Sequence, residues 1–231
     1  MYRNGLHAGR VRGVNLFVSV LKPAVCLLML ATGAFAQLDT GTLLKRIEDR
    51  YNHAKTLQVE FTEGYTAQGR SRPLESGTLI LRKPGRMRWD YRQPSGKQFV
   101  SDGKNVWLYT PSAKRVEKAP LTESEDMRAP LAFLLGKLDF LREFKDFNVK
   151  PDSGGWDILA HARSDRLPYD KIEMTVSQDY EITYLKVTGV DQSVLTFSFS
   201  GEKLNPPAND ALFKFAMPPG ATLAPEEAEN R

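Results

Sequence analysis

The spacing of apolar residues changes period several times along the chain. Between Thr40 and Ala54, Leu43, Leu44, Ile47 and Tyr51 fall on one helical face, with Lys45, Arg46, Glu48 and Asp49 largely opposite. That spacing predicts an amphipathic helix. The period then shortens to two. Leu57, Val59, Phe61 and Tyr65 alternate with Gln58, Glu60 and Thr62. Leu79, Leu81, Met87, Trp89 and Tyr91 share one parity, with Arg86, Arg88, Asp90 and Arg92 on the other. Lys83-Pro84-Gly85, Gln93-Pro94-Ser95-Gly96 and Ser101-Asp102-Gly103-Lys104 are turns short enough for hairpins. Val106–Tyr109 makes another strand. The pattern is an antiparallel meander with one apolar and one polar face.

Helical spacing returns from Arg128 to Phe144, where Leu131, Leu134, Leu135, Leu138 and Leu141 recur, Phe133 and Phe140 widen the stripe, and Pro130 suits a first turn. Strands are predicted again at Phe147–Lys150, Trp156–Ala160, Lys171–Val176, Ile182–Val187 and Val194–Ser200. A last strand is expected at Leu212–Ala216, followed by a frayed tail after Pro219. About ten strands result, with one helix before them and one or two inserted midway, and a sheet of that width curls or closes. The fold class is therefore mainly β within α+β. A strongly curved antiparallel sheet is expected, with helices covering its apolar face.

The first 36 residues read differently from the rest. Arg3, Arg10, Arg12 and Lys22 precede the apolar run Ala24–Ala31, and Ala34-Phe35-Ala36 is a small-x-small cleavage pattern. The run is shorter than the ~20 residues a membrane-spanning helix needs. Pro23-Ala24-Val25 before Cys26 lacks the leucine and adjacent small residue of a lipoprotein signal. Residues 1–36 are thus expected to be a signal peptide, and 37–231 one exported domain that begins at Gln37.

That boundary changes the charge reading. Four of the 32 Lys and Arg residues and none of the 28 Asp and Glu residues precede Gln37, so the remainder is balanced. No basic surplus is left to displace the counterions of a nucleic acid. The single cysteine is lost as well, and with it any disulfide or cysteine nucleophile. A chain of about 195 residues can instead be held by its core.

Catalytic chemistry needs converging groups, and the spacing offers none. His7 lies in the leader, His53 at a helix end and His161 at a strand end, with no metal-ligand spacing. Nucleophile-elbow, phosphate-loop and dinucleotide fingerprints are missing. Glu123, Glu125 and Asp126 cluster in a loop, where a solvated acidic stretch is the ordinary explanation. No enzyme, metal or cofactor is expected.

Gly77-Thr-Leu-Ile-Leu-Arg-Lys-Pro-Gly-Arg-Met-Arg-Trp-Asp-Tyr91, then Pro94, then Val100-Ser-Asp-Gly-Lys-Asn-Val-Trp-Leu-Tyr109, resembles the outer-membrane lipoprotein carrier protein (LolA) family. The likeness continues at Leu57–Thr62, Ala129–Leu135 and Phe213–Gly220. It implies an unclosed β-barrel lidded by helices over an apolar cavity. It also implies a periplasmic carrier that takes acylated lipoproteins from an inner-membrane ABC transporter and hands them to an outer-membrane receptor. A monomer is expected. Two positions depart from the family pattern. Lys83 stands where the family has an arginine that bonds the lid, and Met87 where it often has phenylalanine. They leave room for a carrier or sensor of the same fold with another lipid cargo, and a hydrolase with an unrecognised site is the alternative from another class.

The resemblance makes Leu79, Leu81, Met87, Trp89, Tyr91, Phe99, Leu131, Phe133, Leu134, Phe197 and Phe199 the candidate acyl-chain lining, against the ordinary reading that they are close-packed core. Phe213, Phe215 and Trp156 are expected to be core. Lys83 is the candidate lid latch, facing the cavity with Leu79 and Leu81 while Arg82 faces out. Three C16 chains carry about 45 methylenes at ~0.8 kcal/mol each, some 35 kcal/mol in all. Real affinities saturate near ~20 kcal/mol, and a carrier must also release. The empty protein is therefore expected to be closed on its own side chains.

Overall fold

The computed structural model describes residues 39–121, 138–165 and 167–225. The Asp39 carboxylate accepts from the Thr42 amide at 3.1 Å and so caps α1 (Thr40–His53). Leu43, Leu44, Ile47 and Tyr51 are its buried residues, the same face that the spacing selects. Extended backbone at Ala54 ends the helix and leads into the sheet.

The first half of the sheet is β1 (Thr56–Ala67), β2 (Arg70–Ser71), β3 (Glu75–Arg82), β4 (Arg86–Gln93), β5 (Gln98–Asp102), β6 (Asn105–Thr110) and β7 (Arg115–Pro120). The short α2 (Phe140–Glu143) precedes β8 (Phe144–Asp152), β9 (Gly155–Ala162), β10 (Tyr169–Ser177), β11 (Ile182–Gly189), β12 (Val194–Leu204) and β13 (Thr222–Leu223). The thirteen strands form one curved sheet in the order β13-β7-β6-β5-β4-β3-β1-β12-β11-β10-β9-β8, with β2 paired to β1. β8 and β13 do not pair, so the barrel is unclosed among the described residues. Two meanders meet at β1, which pairs with β3 on one side and with the distant β12 on the other. Every pair is antiparallel except β13–β7.

The structure differs from the sequence expectation in several places. β2, β7 and β13 are additional strands; Arg115–Pro120 carries only Val116 as a large buried residue, too little alternation to be read. Leu212–Ala216 is not a strand. Asp210–Phe213 forms a single 3₁₀ turn that Asn209 caps, accepting from the Ala211 amide at 2.9 Å. The tail after Pro219 is not wholly frayed, since Thr222 and Leu223 pair with Arg115 and Val116. The helix expected over 128–144 is seen only as Phe140–Glu143, and Phe144 already belongs to β8; residues 122–137 lie outside the described residues.

Segment 205–216 runs over the outer face of β3–β6. Arg82 donates to the Ala208 carbonyl at 2.9 Å and pairs with Asp210, while Arg88 donates to the Leu212 carbonyl at 3.2 Å. Phe213 is buried, but on this outer face rather than in the inner core. Phe215 stacks on Trp107 with centroids 6.0 Å apart. Trp156 is half-buried and stacks on Tyr180 at 5.7 Å. The core expected for Phe213 and Phe215 is thus a second apolar layer, and Trp156 flanks the main one.

Candidate functional site

Alternation along β1, β3, β4 and β5 turns one row of side chains inward, and the strand register stacks those rows. Trp89 sits opposite Leu79 and Phe99, Met87 opposite Leu81, and Tyr91 opposite Gly77. Gly77 is required there, because a Cβ would lie 2.1 Å from the Asp90 carbonyl oxygen. The rings interlock edge to face. Phe61 is 4.8 Å from Trp89 and 5.1 Å from Tyr91, and Trp89 is 5.6 Å from Phe197. Trp89 is 0% exposed, and its indole N–H donates to the Met87 sulfur at 3.4 Å.

Seven of the candidate lining residues, Leu79, Leu81, Met87, Trp89, Tyr91, Phe99 and Phe197, are buried in a single core cluster that includes α1. Phe199 is half-buried against that cluster and stacks on Phe197. Leu131, Phe133 and Leu134 lie outside the described residues. A small cavity of about 20 Å³ lies on this face, lined by Tyr51, Leu57, Val59, Leu79, Ile182, Phe199 and Glu202, with room for one water.

Lys83 follows the last residue of β3. Its ammonium donates to the Tyr51 carbonyl at 2.6 Å and approaches the Asn52 carbonyl at 3.5 Å. These are unsatisfied carbonyls at the negative end of α1. Burial holds the Lys83 pKa below the ordinary lysine value. Arg82 points the opposite way, to Asp210.

The same helix end makes two more attachments. The Asn52 amide donates to the Leu138 carbonyl at 2.8 Å and accepts from the Leu138 amide at 2.7 Å, while Glu48 accepts from the Phe140 amide at 2.8 Å. On the other side, the Tyr51 hydroxyl donates to Glu202 at 2.8 Å and accepts from the Ile182 amide at 2.8 Å. Arg50 donates to the same carboxylate, whose side chain is only 4% exposed, at 2.6 and 3.0 Å. Burial, and then the Glu202 charge, push the Tyr51 hydroxyl far above its ordinary pKa, so it remains a donor.

Polar groups also reach the inner face. Glu63 is 4% exposed and accepts from the Tyr91 hydroxyl at 3.0 Å. Parity marks it, since it continues the inward series Leu57, Val59, Phe61. The Arg50–Tyr51–Glu202 contact had no comparable signal, because about 150 residues separate its halves.

Among the described residues no group of three or more His, Cys, Asp and Glu side chains could hold a metal ion. No helix there is long and apolar enough to cross a membrane.

The family described as outer membrane lipoprotein carrier protein LolA matches residues 52–216, the whole span from the end of α1 to the outer strap. The chain belongs to the LolA family. A relative from Methylobacillus flagellatus named outer-membrane lipoprotein carrier protein is 28% identical over 178 residues, covering 76% of this chain and 85% of its own length. One of the same name from Sodalis glossinidius is 28% identical over 210 residues, covering 90% and 96%. Among solved structures, a LolA superfamily protein from Nitrosomonas europaea aligns at 10% identity and a TM-score of 0.43, covering 76% of this chain and 97% of that one. The LolA relatives carry the names of carriers rather than enzymes.

Proposed function

We propose that this chain is a non-enzymatic periplasmic carrier that shields the acyl chains of lipoproteins released from the inner membrane and delivers them to the outer membrane. The observation that carries the reading is the wholly apolar aromatic row Phe61, Trp89, Phe197, set on the inner face of an unclosed sheet in a chain of the LolA family. A sheet with two free ends can widen without breaking a ladder, which a closed barrel cannot do. Leu79, Leu81, Met87, Trp89, Tyr91, Phe99, Phe197 and Phe199, with Leu131, Phe133 and Leu134, are the proposed acyl lining. Lys83 is the proposed latch of the closed state. Residues 1–36 act as the export signal. The donor is an inner-membrane ABC transporter, the acceptor an outer-membrane receptor, and the carrier works as a monomer.

Native mass spectrometry of protein recovered from the periplasm tests this reading. A chain beginning at Gln37 with an acylated polypeptide bound is the expected result. A bound free lipid makes the chain a carrier of another cargo, and turnover of an added acyl ester makes it a hydrolase; either overturns the proposal.

A further inference from the structure

The alternation that turns Ile158, Met174 and Leu185 into the core turns a second set of side chains outward along β8–β11. The register aligns Lys150, Asp157, Thr175 and Tyr184 in one cross-strand row, and Asn148, Leu159, Glu173 and Lys186 in the next. A groove of about 330 Å³ is lined by the whole first row and by Asn148, Leu159 and Glu173 of the second. Asn148, Lys150 and Asp157 are exposed, while Leu159 and Tyr184 are half-buried. Part of this surface is satisfied within itself. The Thr175 hydroxyl donates to one Asp157 oxygen at 2.8 Å, and Glu173 pairs with Lys186 at 2.9 Å and with Lys171 at 3.7 Å. The Asn148 side-chain amide, the Lys150 ammonium, and the Tyr184 hydroxyl and ring have no partner among the described residues.

The groove therefore offers an apolar strip, Leu159 and the Tyr184 ring, between polar groups of both kinds. Lys150 and Tyr184 donate, Asp157 accepts, and Asn148 does both. A ligand that fits must be apolar on its flat side and carry donors and acceptors around its edge. A β-linked pyranose is built that way, with C–H bonds on its faces and hydroxyls in its plane. Charge narrows the class further. Lys150, Lys171 and Lys186 stand against Asp157 and Glu173, too even a balance to concentrate a polyanion, and an acidic sugar would meet both carboxylates. We propose that the outer groove of β8–β11 is a binding site for a neutral β-linked glycan, with Tyr184 as the stacking platform and Asn148, Lys150 and Asp157 as the hydroxyl-binding groups. The site lies on the face of the sheet opposite the aromatic row, so it stands apart from the acyl-carrier reading.

The test is an NMR titration of the ¹⁵N-labelled protein recovered from the periplasm with cellotetraose, N-acetylchitotetraose and the anionic tetragalacturonate. At least one neutral tetraose is expected to bind with a Kd of about 1 mM or tighter, shifting amides of β8–β11. Tetragalacturonate should bind at least about tenfold more weakly. Tyr184→Ala should weaken the neutral ligand about tenfold, and Tyr184→Phe, which keeps the ring, by no more than about threefold. Lys150→Ala, at an exposed position, should weaken it in the same direction and serves if Tyr184→Ala does not fold. Absence of binding by both neutral tetraoses at about 5 mM, or shifts centred on other strands, would overturn the site. Equal affinity for tetragalacturonate would overturn its neutral selectivity, and wild-type affinity in Tyr184→Ala would overturn the platform. None of these results depends on whether the inner face takes acyl chains.

Discussion

The Lys83 ammonium lies 2.6 Å from the Tyr51 carbonyl oxygen, which ties the end of β3 to the last turn of α1. The turn that receives it also holds Leu138 through Asn52 and β12 through Tyr51 and Arg50. Three separate parts of the chain therefore converge on one helix end. A lysine can supply the charge this end attracts, but not the planar two-pronged contact of an arginine.

Lys83→Leu should still load acylated lipoprotein and pass it on poorly, because the closed empty state loses its favourable contact while the apolar face is untouched. Lys83→Arg should transfer at or near the wild-type level. Loading and transfer to receptor-bearing membranes are measured separately, and equal transfer by wild type and Lys83→Leu would leave Lys83 an ordinary charge beside a turn.

Tyr51→Phe removes a buried hydroxyl that both donates to Glu202 and accepts from the Ile182 amide. Two buried polar groups then lose a partner, and urea unfolding should show a loss of about 1–3 kcal/mol. A change below a few tenths would mean that water replaces the hydroxyl without cost, and that α1 is not held through it.

Trp89 in β4 and Trp107 in β6 are separated by β5 and lie on opposite faces of the sheet, one inside the aromatic row and the other under Phe215. With the other two tryptophans replaced by phenylalanine, Trp89 emission should shift when acylated peptide is added. Emission from a protein with Trp107 alone should not. Equal responses would place the acyl chains elsewhere or show a rearrangement of the whole sheet.

Much of this architecture is written in short-range pattern. The inward parity of Leu79, Leu81, Met87 and Trp89 survives intact in the register, and the turns at 83–85, 93–96 and 101–104 fall where Pro and Gly place them. Lys83 and Arg82 leave the end of β3 in opposite directions, as strand alternation expects. What escaped is long-range or weakly patterned. β7 and β13 are short strands that borrow their stability from neighbours. Phe213 looks like core by composition, yet it is buried by a strap whose position depends on Arg82, Arg86 and Asp210 meeting across more than 120 residues. Glu63 escaped as well: parity turns it inward, but its charge contradicts the pattern around it.

Gly77→Ala should be costly out of proportion to one methyl group. The added Cβ would meet the Asp90 carbonyl at 2.1 Å, and backbone cannot yield as a side chain can. Spreading β3 from β4 should lower stability by about 1–3 kcal/mol or more, read as a fall in the thermal midpoint. A wild-type midpoint would mean that the two strands separate freely at this point.

The central claim is that acyl chains, not the polypeptide attached to them, are what this protein holds. The direct measurement is the soluble complex formed with one lipoprotein in two forms, acylated and with its lipid-bearing cysteine replaced by serine, followed by gel filtration in the absence of detergent. A one-to-one complex with the acylated form, released on contact with receptor-bearing membranes, is expected, and no complex with the serine form. Equal capture of both forms, or of neither, would contradict it.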